Sequence, residues 1–238
     1  MSGREESVKE HFDRLFRSSC QHHGNIDIMA HLNGLDNRLN ADTLYTTYDN
    51  FFIIEFKSFK ANIKDEKRKP AVCVLCCGLS KNIQITRLHD SCHYLMWGKK
   101  RNKKLEADFD IYRNVVCNTT ILPDCHGASL MNLQSNESTS RHLAYFAGNN
   151  QVGLDAENFR IYLEWLLSSR SGTKNSESES DDDKEDKHTG TFLSTIYATS
   201  EHYAVDLTFN SIDSMYQWAI GDRPEPQRRN DDWGNFTP

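Results

Sequence analysis

Three polar side chains stand at spacings that suit hydrolysis of a phosphodiester. Asp42 is followed, after twelve intervening residues, by Glu55, and Glu55 by Lys57 across one hydrophobic position in the run FFIIEFK (51–57). Two carboxylates are hard oxygen ligands for Mg²⁺ or Mn²⁺, which the main-chain carbonyl of Phe56 and water would complete. A metal so held neutralises a phosphate oxygen and acidifies its water. Lys57 would position that water or offset the charge of a pentacovalent phosphorus. The catalytic set expected from the sequence is therefore Asp42, Glu55 and Lys57, with Asp42, Glu55 and Phe56 as metal ligands.

Such a set needs a strand pair to hold it. In FFIIEFK the side chains alternate, so Phe52, Ile54 and Phe56 form a core face while Glu55 and Lys57 lie on the other. The segment DTLYTTYDNFFIIEFKS (42–58) carries two β-rich runs flanking Asp49-Asn50, residue types that tolerate a tight turn. Strands are expected at 42–48 and 51–57. With Asp49-Asn50 as a two-residue turn, Leu44 faces Glu55 and Asp42 faces Lys57, one diagonal step from Glu55. A slip of one residue would send Asp42 to the opposite face.

The flanking elements are legible from periodicity. Val8, Phe12, Leu15 and Phe16 make one stripe of a helix over 4–19. AVCVLCCGLSKN, after Pro70, reads as a buried helix in preference to a core strand. CHYLMWG (92–98) and RNVVCNTTIL (113–122) read as strands, and 156–169 as a helix capped by Asp155. A second hairpin is expected about Thr199-Ser200, then a helix over 211–220 capped by Ser211. The tail, 221–238, reads as irregular.

The pattern Asn40-Ala41-Asp42, twelve residues, then Glu55-Phe56-Lys57 on a hydrophobic strand resembles the PD-(D/E)xK nuclease superfamily. That resemblance implies an α/β fold with a restriction-endonuclease-like core: a first helix, a three-stranded meander, a crossing helix and a fourth strand, in a mixed β-sheet flanked by helices. It covers roughly residues 1–125, and the C-terminal hairpin and helix lie beyond it. Alanine at position 41 departs from the motif's proline. The family often adds a metal-supporting Glu from the first helix, and Glu5, in line with the apolar stripe, is the choice here. The implied activity is that of a Mg²⁺-dependent endonuclease, a hydrolase cutting DNA in preference to RNA. Without a recognisable base-reading module, it would act with a protein partner or as an oligomer, as in antiviral defence. The alternatives are a catalytically silent binding module of the same fold and a stand-alone repair or junction-resolving nuclease.

Charge distribution bears on the partner. The 238 residues carry a net charge of −6, yet residues 57–104 hold thirteen basic against three acidic side chains. Lys60, Lys64, Lys67, Arg68 and Lys69 follow the Glu-Phe-Lys strand directly and are expected to contact a nucleic-acid backbone. Lys99, Lys100, Arg101, Lys103 and Lys104 form either a second such patch or a solvated loop. His22-His23 is a surface pair or within reach of the phosphate. The acidic stretch 171–188 has no apolar side chain, and reads as a flexible loop or as a decoy competing for the basic face. These features divide the chain into 1–169 (nuclease-like), 170–189 (acidic linker) and 190–238, which completes the core or, through Tyr197, Tyr203, Tyr216 and Trp218, mediates assembly.

The N-terminus lacks the apolar run of a secretory signal, and no stretch reaches the roughly 18 apolar residues that span a bilayer. A cytoplasmic protein without membrane association is expected. The seven cysteines, three of them in AVCVLCC, read as small buried hydrophobes and not as a disulfide framework or zinc site.

Overall fold

The computed structural model describes residues 2–32, 39–69, 71–130, 133–171, 191–200 and 206–221. The acidic stretch from 172 onward, Pro70, Tyr203 and the tail from 222 lie outside them, as does the Tyr197 side chain. Helix α1 (Ser2–His23) forms because Val8, Phe12, Phe16 and Cys20 recur every fourth residue, and all four are fully buried. Phe12 meets Tyr45 edge-on at 5.2 Å and Phe16 meets Phe52 at 5.8 Å. The helix therefore covers the sheet face on which Phe52 and Phe56 lie.

Strands β1 (Ile28–His31), β2 (Thr43–Thr46) and β3 (Phe51–Lys57) run as an antiparallel meander. Strand β4 (His93–Arg101) then pairs with β3 in parallel, which requires a crossover. A 3-10 segment (Lys60–Arg68), α2 (Ala71–Leu79) and α3 (Ile83–Cys92) supply it. Next come β5 (Lys104–Ile111), α4 (Tyr112–Val116), α5 (His126–Leu130), β6 (Ser138–Thr139), α6 (Ser140–Gly148) and α7 (Ala156–Ser171). The C-terminal elements are β7 (Thr191–Thr199), β8 (Asp206–Ser211) and α8 (Ile212–Ile220). The eight strands make one mixed sheet in the order β6-β5-β4-β3-β2-β1-β7-β8. Helix α7 covers the second face, where Phe51 stacks on Phe159 at 5.5 Å. The protein is thus α/β, a mixed open sheet between helices. No helix among the described residues is long and apolar enough to cross a membrane.

The C-terminal hairpin extends this sheet, because β7 pairs with β1 through Ala30↔Ala198. Trp218 is half-buried and packs on Tyr48 at 4.9 Å and Phe209 at 5.4 Å. Its ring packs against the core. Ser211 caps α8 with a reciprocal Ser214 bond, and Asp155 Oδ1 accepts from the Asn158 amide at the start of α7.

Two expectations fail for identifiable reasons. Residues 113–122 are not a strand: the strand lies earlier, at β5, whose charged sequence conceals a buried Asp108 and Asp110. Asp108 is paired with Lys99, and Asp110 accepts from the Asn136 amide and the Ser135 hydroxyl. Nor are the cysteines all thiols. Cys73 is bonded to Cys125 and Cys76 to Cys117, so α2 is stapled twice to the segment that follows α4, while Cys20, Cys77 and Cys92 are free. Close approach makes this possible: a Cβ on Gly127 would sit 2.3 Å from the Cys77 nitrogen, so α5 can rest against α2 only with glycine there.

Candidate active site

The β2–β3 register brings the carboxylates together differently from expectation. Thr46 pairs with Phe51 and Thr43 with Ile54, so the turn is a four-residue loop, Thr47–Asn50. Positive φ falls on Tyr48 (75°) and not on Asp49 or Asn50. Relative to a two-residue turn the register has moved by two, and an even shift preserves the face. Asp42 consequently lies beside Glu55 itself. Its amide donates to the Ile54 carbonyl at 2.8 Å and its Oδ2 accepts from the Phe56 amide at 2.6 Å. A strand residue's N–H and C=O project from the same edge, so the Phe56 carbonyl faces Asp42 as well.

The second face of β3, which carries Glu55 and Lys57, is covered as well. Glu55 is 1% exposed and Lys57 8%. What covers them is the 3-10 segment, whose period of three residues per turn aligns Ile63, Glu66 and Lys69 on one side. Glu66, fully buried, was unmarked in the sequence. The Lys57 Nζ contacts Glu55 Oε1 and lies 2.9 Å from Glu66 Oε1. Lys69 Nζ lies 2.5 Å from Glu55 Oε1 and 3.2 Å from Glu66 Oε1, while Tyr112 donates its hydroxyl to Glu66 Oε2 at 2.5 Å. Lys69, expected on a nucleic-acid backbone, is therefore part of the buried cluster.

Glu5 faces the same cluster from α1. Its half-buried position raises its pKa, and the charges acting on it are those of Lys57, Asp42, Lys69 and Glu66. Four carboxylates (Glu5, Asp42, Glu55, Glu66) thus meet two ammonium groups (Lys57, Lys69), a formal surplus of two negative charges. The surplus is not shared evenly. For Glu66, burial is outweighed by Lys69, Lys57 and the Tyr112 hydroxyl, and its pKa falls. For Glu55, burial first and then the Asp42 charge push the carboxyl up to about 8 against the pull of Lys69 and Lys57. Burial also opposes the Lys57 charge, but Glu55 and Glu66 together hold its pKa above the ordinary value.

Behind Asp42 a chain of hydrogen bonds fixes the backbone. Arg113 N–H donates to His89 Nε2 (3.3 Å); the Tyr162 hydroxyl bridges His89 Nδ1 (2.8 Å) and His93 Nδ1 (2.7 Å). His93 Nε2 meets the Asn40 carbonyl at 2.9 Å. One donor direction satisfies every link, with each ring carrying a single N–H. Asn40 takes a left-handed φ of 52° at the entry to the Asp42 bend.

The remaining expected residues divide. Lys60 pairs with Glu137 and lies over the Trp97 ring, Arg68 pairs with Asp65 at 3.6 Å, and Lys64 and Lys67 are exposed. Lys99 and Arg101 pair with Asp108 and Glu106, whereas Lys100, Lys103 and Lys104 project elsewhere on the β4–β5 hairpin. His22 and His23 are at the opposite end of α1 from Glu5, about 25 Å along the helix, and do not reach the cluster. Cys73, Cys77 and Cys125 place their sulfurs within 4.8 Å of one another.

In its chemistry the donor set suits Mg²⁺ or Mn²⁺, although among the described residues no three of these carboxylates gather their oxygens within 4.8 Å of one another. The oxygens are hard, the formal surplus with all four carboxylates ionised equals the charge of one divalent ion, and Glu55 Oε2 is buried with no hydrogen-bond partner. Asp42, Glu55 Oε2 and the Phe56 carbonyl would hold the ion, with Glu5 in reserve from α1. Comparisons with protein-family models, curated proteins and solved structures find no match to this chain.

Proposed function

We propose that the protein hydrolyses phosphodiester bonds in nucleic acid, DNA in preference to RNA, with Mg²⁺ or Mn²⁺ as cofactor. The observation that carries this reading is the net-negative cluster in which buried Glu55 and Glu66 and half-buried Asp42 and Glu5 surround Lys57, with an unpartnered carboxylate oxygen on Glu55. The order of elements, α1, the β1–β3 meander, a helical crossover and a parallel β4, supports placing the chain with the PD-(D/E)xK nucleases. The metal, when bound, would polarise a phosphate oxygen and lower the pKa of a coordinated water.

The chain's own residues do the rest. Glu55 would give up its proton to solvent on becoming a ligand, and Asp42 is kept aimed by the Phe56 amide. Lys57 stays cationic because Glu55 and Glu66 together outweigh its burial, and its ammonium would be offered to a phosphate oxygen or the attacking water. Tyr112 holds Glu66 in place for that role. One observation favours a second reading: Lys69 already occupies Glu55 Oε1, as it would in a silent binding module that keeps the fold without the metal.

Incubating supercoiled plasmid and single-stranded DNA with Mg²⁺, Mn²⁺ or EDTA separates the two. Cleavage by the wild type that is lost in EDTA and in a folded Asp42→Asn variant supports the hydrolase. Wild-type inactivity with retained binding supports the module, and cutting undiminished by EDTA or by Asp42→Asn would refute the assignment.

A further inference from the structure

The basic run at 99–104 is two populations of side chain, those paired with carboxylates on β5 and those that are not. The hairpin turns at Asn102 and Lys103, both with positive φ. Lys99 and Arg101 fall on one face of β4 and meet Asp108 (2.8 Å) and Glu106 (3.9 Å) on β5. Lys100 falls on the other face, and together with Lys103 and Lys104 at the turn and Arg4 from α1 it lines a cleft of about 460 Å³. None of these four is paired with a carboxylate among the described residues. Phe59 and Leu105 line the same cleft, each 38% exposed, and the Arg4 guanidinium lies 5.6 Å from the Phe59 ring centre.

This cleft adjoins the cluster through the chain itself. Phe59 is two residues past Lys57, and Arg4 immediately precedes Glu5. Gly98 makes the junction possible: a Cβ there would lie 2.5 Å from the Ser58 carbonyl oxygen and 2.7 Å from a Val8 methyl.

We propose that the cleft binds single-stranded nucleic acid, its phosphates on Lys100, Lys103 and Lys104 and an unstacked base against Phe59. The placement beside a scissile phosphate rests on the hydrolase reading, whereas binding itself needs no metal. Four unneutralised cations converging from α1 and the β4–β5 hairpin call for a polyanion. An exposed aromatic ring in the same cavity calls for a flat apolar face, which a single strand offers and a duplex, with its bases stacked, withholds. The volume suits one nucleotide.

Fluorescence anisotropy in EDTA, with a labelled oligodeoxythymidylate and a labelled duplex, tests this. The wild type binds the single strand more tightly than the duplex. Lys100→Ala/Lys104→Ala weakens single-strand binding at least tenfold and makes its logarithmic salt slope shallower by about 1.4, as loss of two phosphate contacts requires. Phe59→Ala weakens the single strand by about five- to a hundredfold and leaves the duplex unchanged. Lys99→Ala, whose cation is already paired, changes binding less than twofold. The inference is overturned if Lys99→Ala equals the double variant, if Phe59→Ala weakens both substrates alike, or if no single strand binds. Hydrolysis of bis(p-nitrophenyl) phosphate, a substrate too small to need the cleft, reports on the metal centre separately. Loss of binding with that activity intact rejects the cleft alone, and the converse rejects the hydrolase alone.

Discussion

Glu66→Gln probes the charge logic of the cluster directly. The change keeps the side chain's shape and its acceptor for the Tyr112 hydroxyl, but removes the charge lying 2.9 Å from Lys57 and 3.2 Å from Lys69. At those separations and an effective dielectric of about 20, each ammonium is held by about 5 kcal/mol of Coulomb energy, most of which offsets its desolvation. Glu66 is fully buried, so water cannot replace it. Removing one partner of a buried pair costs about 3–5 kcal/mol, which for a chain of this size lowers Tm by roughly 10 °C. Lys69→Met in the Glu66→Gln background removes one of the two ammonium groups that Glu66 partnered, leaving Glu55 to the other, and the two changes should couple by about 1.5 kcal/mol in the favourable direction. Circular dichroism melts of the metal-free protein give both quantities. A Glu66→Gln melt within 2 °C or so of the wild type, or strict additivity of the two substitutions, would refute the claim that Glu66 neutralises both lysines.

Other consequences follow from the same geometry. Because Glu55 is pushed up to about 8, a metal ion must displace its proton. Mn²⁺ affinity should rise about tenfold per pH unit below 8 and flatten above it, with one proton released on binding, as titration calorimetry in buffers of different ionisation enthalpy will show. In the metal-free protein the same shift makes stability fall as pH climbs from 4.5 toward 8, since the folded chain retains a proton that the unfolded chain has lost. Gly98→Ala drives a Cβ into the Ser58 carbonyl and Val8, and should cost about 1–3 kcal/mol together with a loss of single-strand binding. Thiol titration of the denatured, unreduced protein should count three cysteines, rising to seven after reduction. Reduction of the two bonds, which span 41 and 52 residues, should lower the melting temperature.

The parts legible in the sequence were those set by local periodicity. The stripe of Val8, Phe12 and Phe16 predicted α1, and the alternation of FFIIEFK predicted β3 and the shared face of Glu55 and Lys57. The register was misread because Asp49-Asn50 is a strong local turn signal. The actual loop is held from a hundred residues away, where the Asn50 side chain donates to the Asn150 carbonyl at 2.9 Å. Glu66 was hidden because a lysine-rich run has no helical apolar stripe, and only the three-residue period of a 3-10 turn buries it. Strand β1, four residues long, carries too little pattern to be found. In β5, Asp108 and Asp110 look solvent-facing until Lys99, Ser135 and Asn136 arrive to satisfy them. Where burial of a charge depends on a distant partner, composition points the wrong way.

Mn²⁺ binding followed by electron paramagnetic resonance tests the central claim most directly. One ion per chain is expected at pH 8, lost in folded Asp42→Asn and in Glu55→Gln, and retained in Lys99→Ala. Absence of binding by the wild type, or binding that survives both carboxylate substitutions, would contradict a metal centre built on Asp42 and Glu55.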